Sequence, residues 1–178
     1  MFLAAVARPR FDSSRNRHFD GKIGIYPFTV QRAAQRAAQR NSRNRAAGTI
    51  VTRSVEVNRV TYKEKLINNV LPDIRAKFPA VSTVFAQQDS APGHRVMDPE
   101  IVAAAAQGRR IELINQPANS PDMNVLDLGF FNSIQSLQDR TTPTTIDQLV
   151  AEVERAFWAQ SPGAVDRVWT TLQSVFRR

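Results

Sequence analysis

The chain has 178 residues, 42% hydrophobic and 22% charged, enough for one sizeable core and unlike disordered, collagenous or fibrous compositions. No apolar run approaches the roughly 20 residues of a spanning helix, so no membrane partner is expected, and the absence of cysteine excludes disulfides, thiol nucleophiles and thiolate-bound metals. Two histidines, His18 and His94, are too few for a multi-His site, while 24 Lys and Arg against 16 Asp and Glu, a net charge of +8, favour a polyanionic partner.

Residues 1–7 (MFLAAVA) form a short apolar run of the buried-strand type, without the basic region that opens a signal peptide. Residues 21–28 (GKIGIYPF) read as a second strand, and the Arg-rich turn between them, with Asp12, Ser13, Ser14, Asn16 and Asp20, makes the pair a hairpin. Residues 31–45 (QRAAQRAAQRNSRNR) repeat a QRAA unit and carry no acid and no large apolar side chain, so they cannot bury a face. Arg32, Arg36 and Arg40 fall there at i, i+4 spacing. With Arg43 and Arg45 they form a candidate phosphate-gripping run, the alternative being a solvated loop. The charge is uneven: residues 1–60 hold 12 Lys or Arg against three acids, and the rest hold 12 against 13.

Residues 48–57 (GTIVTRSVEV) alternate as a strand, and 61–78 place Tyr62, Leu66, Val70 and Ile74 on one helical stripe despite Pro72. Residues 81–88 (VSTVFAQQ) are a strand ending at Asp89, followed by a turn at 90–93. Asp98 and Pro99 open a helix that runs through 101–107 to Gly108. Residues 110–115 (RIELIN) are a further strand, and 116–122 (QPANSPD) a loop fixed by two prolines. From 123 to 137, Leu126, Phe130, Ile134 and Leu137 return at helical spacing. Two helices, 146–159 and 164–176, follow and are expected to pack on the rest. This interleaving predicts an α/β fold, a mixed sheet flanked by helices.

Two carboxylates stand out by position. Asp89 ends a buried strand, where open α/β sheets present reacting groups, although a strand-end Asp equally caps the next turn. Asp127 lies in the first turns of a helix, where the helix dipole alone favours a carboxylate.

Their surroundings resemble a known family. QQDSAPGH at 87–94 and QPANSPDMNVLDLGFFNSIQSLQ at 116–138 resemble the last two catalytic blocks of mariner-like (Tc/mariner superfamily) transposases. MFLAAVARPRFD, FDGKIGIYPF, RNSRNRAAGT and NNVLPDIRAKFP come in the order found in plant and oomycete members, so the resemblance covers roughly residues 1–160. It implies an RNase H-like fold, DDE/DDD-type DNA cleavage and strand transfer, and three acids that hold two divalent cations, Mg²⁺ or Mn²⁺. On it Asp89 matches the second catalytic acid and Asp127 the third, with 37 residues between them. Such cations take oxygen ligands and polarise the attacking and leaving oxygens of an in-line phosphoryl displacement. Ser120, Pro121, Asp122 and Asn124 match the loop that sets the third acid, with Asp122 a helix-start residue. His94 matches a family position near the second acid, where either a hydrogen-bonded turn residue or a base fits.

The resemblance also puts the first acid on a strand upstream of Met1; Asp12 and Asp20 do not match it, and Ser90 stands where the family commonly has Asn. The expectation is therefore a core over residues 1–142, short of the family's first strand and carrying a basic insert at 29–47, with a C-terminal helical extension at 143–178. With two of three acids it is expected to be weak or inactive as a transposase. The other reading is a nucleic-acid-binding or interaction module recruited from a transposon, whose Arg run grips phosphates without chemistry. DNA is the expected partner and the nucleus the expected location, with 40–45 able to serve as an import signal. The unpaired edge of residues 1–7 calls for a cover, either a homodimer mate or another partner.

Overall fold

The computed structural model describes residues 1–33, 49–79, 83–91, 94, 98–138 and 142–177. It is a mixed α/β structure whose described strands associate in pairs. β1 (Phe2–Val6) leads into a small hairpin, β2 (Arg10–Asp12) with β3 (Arg17–Phe19), before β4 (Lys22–Pro27) returns antiparallel to β1. The anticipated first hairpin is thus present, but its connection folds on itself, around a buried Asp12 that accepts from the Ser14 backbone N–H and hydroxyl. β5 (Thr29–Ala33) pairs antiparallel with β6 (Ile50–Ser54), so the start of the basic insert is strand; residues 34–48, with Arg36, Arg40, Arg43 and Arg45, lie outside the described residues.

α1 (Arg59–Lys65) begins at Asn58, whose side chain accepts from the N–H groups of Val60 and Thr61, and passes through a π-turn (Leu66–Val70) into α2 (Leu71–Lys77). Pro72 sits at the start of α2, where its missing N–H costs little, and the Leu71 N–H reaches back to the Leu66 carbonyl. Tyr62, Leu66, Val70 and Ile74 are all buried, as the stripe predicts. β7 (Thr83–Gln88), α3 (Pro99–Ala106) and β8 (Arg110–Asn115) form a parallel crossover unit, with β7 and β8 paired throughout.

The helix predicted over 123–137 is broken. A 3₁₀ turn (Pro121–Met123) and a π-turn (Leu126–Phe130) precede α4 (Phe131–Gln138), and Gly129, at φ 119°, takes the chain out of helical geometry between them. Spacing of apolar residues does not register such a break, because Phe130 and Ile134 remain buried on either side of the turn into α4. α5 (Ile146–Ala159) and α6 (Pro162–Val175) follow, capped by Thr145 and Ser161.

The β1–β4 ribbon separates two apolar clusters. Leu3, Ala5 and Tyr26 pack toward Ile23, Leu66, Leu71, Val84 and Ile111; Phe2, Ala4, Val6 and Ile25 pack toward Phe130, Ile134, Phe157 and Val165. β1 is therefore apolar on both faces, which is why it reads as a continuous run. Ala5 pairs with Gly24 but Val6 with Lys22, so Ile23 is the extra residue of a bulge, and Ile23 and Ile25, two apart, enter different clusters. Gly24 lies beneath the Tyr26 ring, where a Cβ would fall 2.2 Å from its hydroxyl. That hydroxyl donates to Asp73 Oδ2 (2.7 Å), and Lys77 Nζ donates to the Ile23 carbonyl (2.8 Å), fastening α2 to β4. On the other side the buried Lys22 ammonium donates to the carbonyls of Trp158 (2.7 Å) and Gln160 (2.8 Å) at the end of α5.

Asp98 joins α3 to α1: it caps α3 through the Glu100 N–H and receives Arg59 (3.1 Å) and Lys63 (3.6 Å). Burial pushes its carboxyl up, but the Arg59 hydrogen bond, the Glu100 N–H and the Lys63 charge outweigh burial and hold it below the ordinary 3.8. The stability it contributes is present above the unfolded value and lost as pH falls through the lower folded one. Asp98→Asn is expected to flatten the acid limb of stability, so that urea midpoints of variant and parent converge as pH falls through the lowered folded-state value. Phe157, fully buried in the second cluster, is expected to cost about 3–5 kcal/mol when replaced by Ala, read from urea unfolding.

Candidate functional site

A cleft of about 430 Å³ opens between β1 and β7. Tyr62, Leu66 and Val70 line it from the first cluster, and Leu126 and Trp169 line it from the side of the second. Its polar lining comprises Arg8, Arg10, Gln87, Gln88, Asp89, His94 and Asn124. Asp89, which the sequence singles out at the end of β7, lies in this lining.

Asp89 follows β7 directly, and its Oδ1 accepts from the Ala91 N–H (3.1 Å) and meets His94 Nδ1 at close range. Oδ2 has no hydrogen-bond partner among the described residues. The His94 ring packs on Tyr62, with centroids 3.7 Å apart, and the Tyr62 hydroxyl donates to Gln88 Oε1 (2.7 Å). His94 is a hydrogen-bonded turn residue, its N–H donating to the Ala91 carbonyl (2.8 Å).

The second motif is tied to the same strand end. Gln87 Nε2 donates to the Met123 carbonyl (2.7 Å), Gln88 Nε2 to Asn115 Oδ1 (2.9 Å), and the Ser90 hydroxyl to the Gln116 carbonyl. The Gln116 N–H continues the ladder to the Gln88 carbonyl (2.9 Å). Asn124 shapes the following turn: its Oδ1 accepts from the Leu126 N–H (3.1 Å) and its carbonyl from the Asp127 N–H (3.0 Å). Asp122 is exposed in the 3₁₀ turn. The sequence analysis carried Gln87 and Gln88 only as part of the motif block and Tyr62 only as a helix-stripe residue, without a role at the site; the available signal was two amide side chains ending a strand.

Asp127, the second residue of the π-turn, is exposed and does not line the cleft, although Met123, Asn124, Val125 and Leu126 before it do. Hard divalent cations take several oxygen ligands. Among the described residues no group of three or more His, Asp or Glu side chains converges to hold a metal. Among these residues Asp89 Oδ2 is the carboxylate oxygen of that side chain left for a cation.

Arg32 is exposed on β5 and Arg53 on β6. Arg32 stands opposite Val51 and Val30 opposite Arg53, so the two guanidinium-bearing side chains leave the same face of the ribbon as diagonal neighbours.

No protein-family model matches the chain, and no curated protein matches it significantly. The class defined by the structure is a mixed α/β protein with a cleft between two strand pairs.

Both tyrosines of the chain resist ionisation. Burial, and then the hydrogen bond to Asp73, push Tyr26 well above the ordinary 10.0; burial, and then the charge of Asp89, do the same to Tyr62. The folded state holds these protons longer than the unfolded chain, so stability falls as pH climbs past about 10. An absorbance titration should show no phenolate step near pH 10 until circular dichroism reports unfolding; a two-tyrosine step within a native spectrum would refute this.

Proposed function

We propose that this chain is a core derived from a mariner-like transposase, with an RNase H-like sheet short of its first strand, that binds DNA and cleaves it weakly or not at all. The observation that carries the reading is the joint assembly of the two motif blocks: the turn after Asp89 and the loop 116–124 are held to one strand end by Gln87, Gln88 and Ser90. That is where a parallel pair presents reacting groups. Asp89 is the retained catalytic acid, and Asp127, the residue after the last one of that loop to line the cleft, is the third acid, which does not complete a cation site among the described residues. Mg²⁺ or Mn²⁺ is the cofactor the family resemblance implies, and no catalytic step is derived through it.

The Arg face of β5 and β6 supports the non-catalytic version of the same reading, a DNA-binding module. Guanidinium groups on one face suit phosphates along a backbone, and a DNA partner implies action in the nucleus.

Binding to a duplex oligonucleotide is expected to weaken steeply between about 50 and 200 mM salt. Replacing Arg32 and Arg53 together by Ala should reduce the salt slope by about 2, while Asp89→Ala leaves affinity unchanged. Fluorescence anisotropy reads all three. Absent or salt-indifferent binding overturns the DNA-handling reading; efficient cleavage with Mg²⁺ or Mn²⁺, abolished by Asp89→Ala, overturns the weak-enzyme assignment.

A further inference from the structure

The two faces of the β2–β3 hairpin lie in different surroundings. Phe11 stands opposite His18 in its register, Arg10 opposite Phe19, and Asp12 opposite Arg17. Side chains alternate between faces along each strand, so Phe11 and His18 share one face and the other four share the second. The second face is occupied: Phe19 meets the Phe78 ring edge-on, with centroids 5.8 Å apart, and the Arg10 guanidinium lies 4.2 Å from the centroid of the same ring. The turn is braced as well, by Arg15, which donates to the carbonyls of Ala76 (3.0 Å) and Lys77 (3.3 Å) at the end of α2. The first face is exposed: the Phe11 ring is 53% exposed and meets the exposed His18 ring edge-on, with centroids 5.2 Å apart.

Charge and size select what such a face takes. Residues 10–19 hold three arginines against one acid, and that acid, Asp12, is buried and engaged by Ser14 and Arg15. Arg17, directly before His18, is exposed and makes no hydrogen bond or ion pair among the described residues. Arg10, directly before Phe11, is exposed and makes no ion pair among them. One pair of rings is far smaller than the roughly 800 Å² per partner of a stable protein interface, but it matches the flat face of a nucleobase. The hairpin is two strands wide, about 5 Å from strand to strand, so a phosphodiester chain running along its edge meets guanidinium groups from one face while its bases lie on the rings of the other. In a duplex the bases cover one another; an unpaired strand leaves their faces free to stack.

We infer that the β2–β3 hairpin is a binding platform for an unpaired strand of DNA, with a base stacked on Phe11 and His18 and neighbouring phosphates held by Arg10 and Arg17. That the strand is unpaired follows from the hairpin; that it is DNA rests on the function proposed above. The platform is distinct from the Arg32 and Arg53 face, which belongs to the β5–β6 ribbon and has no aromatic side chain on which a base could stack.

The test uses the whole chain and fluorescence anisotropy with labelled oligothymidylate, an abasic strand of the same length, and a duplex. Phe11→Ala should weaken oligothymidylate binding by about five- to a hundredfold and leave the abasic strand and the duplex unaffected, while Phe11→Trp should bind as the parent does. Arg17→Ala should lower the salt slope for oligothymidylate by about 0.7. Both side chains are exposed, so urea midpoints should stay at the parent's value, and His18→Ala gives a second variant acting in the same direction as Phe11→Ala. An equal loss on the abasic strand, or no loss on oligothymidylate, overturns stacking. Tighter binding of oligouridylate overturns the assignment to DNA, and displacement by polyglutamate as effective as by oligothymidylate overturns nucleic acid in favour of an acidic polypeptide. Duplex binding through Arg32 and Arg53 is read in the same assay: its failure with oligothymidylate binding intact overturns the earlier reading alone, and the reverse overturns this one alone.

Discussion

A backbone amide withdrawn from water needs a partner, and the cleft is organised by how far that requirement is met. β4 and β8 satisfy one side of β1 and of β7, and among the described strands neither β1 nor β7 has a second partner. The remaining architecture keeps the two pairs apart yet facing. α1 and α2 are fastened to β4 through Tyr26, Asp73 and Lys77, α3 is fastened to α1 through Asp98, and the loop 116–124 to β7 through Gln87. The bulge at Ile23 gives the ribbon beside the cleft a foot in both apolar clusters.

Elements governed by local pattern were legible in the sequence. β8 has the predicted bounds, Tyr62, Leu66, Val70 and Ile74 are buried along one helix, and Asp98 caps α3. What escaped depends on contacts distant in sequence or on single backbone angles. β2 and β3 are three residues each and carry no apolar alternation, so they read as turn. Gly129 looks like a tolerated helix glycine until its positive φ is known. At the site, strand-end logic located Asp89, but Tyr62 stacks on the His94 that closes onto it, a contact between residues 32 positions apart in the chain. The loop before Asp127 meets the end of β7, while Asp127 itself lies in a π-turn that spacing does not encode.

The uneven charge has a structural counterpart. Basic residues of the first third that fall among the described residues are divided between two tasks. Lys22, Arg8 and Arg59 are engaged with α5, α6 and Asp98, whereas Arg32 and Arg53 stand exposed on one face of a ribbon. Net charge therefore overstates the surface open to a polyanion: part of it is spent inside the fold.

Lys22 has a wider meaning. Its ammonium, on a strand near the start of the chain, takes the place of solvent at the final carbonyls of a helix more than a hundred residues later. Loss of α5 would leave that ammonium with Asp20 and solvent in place of the helix carbonyls and would strip the cover from Phe130. The early ribbon and the late helices thus share one buried seam, closed by residues from opposite ends of the sequence.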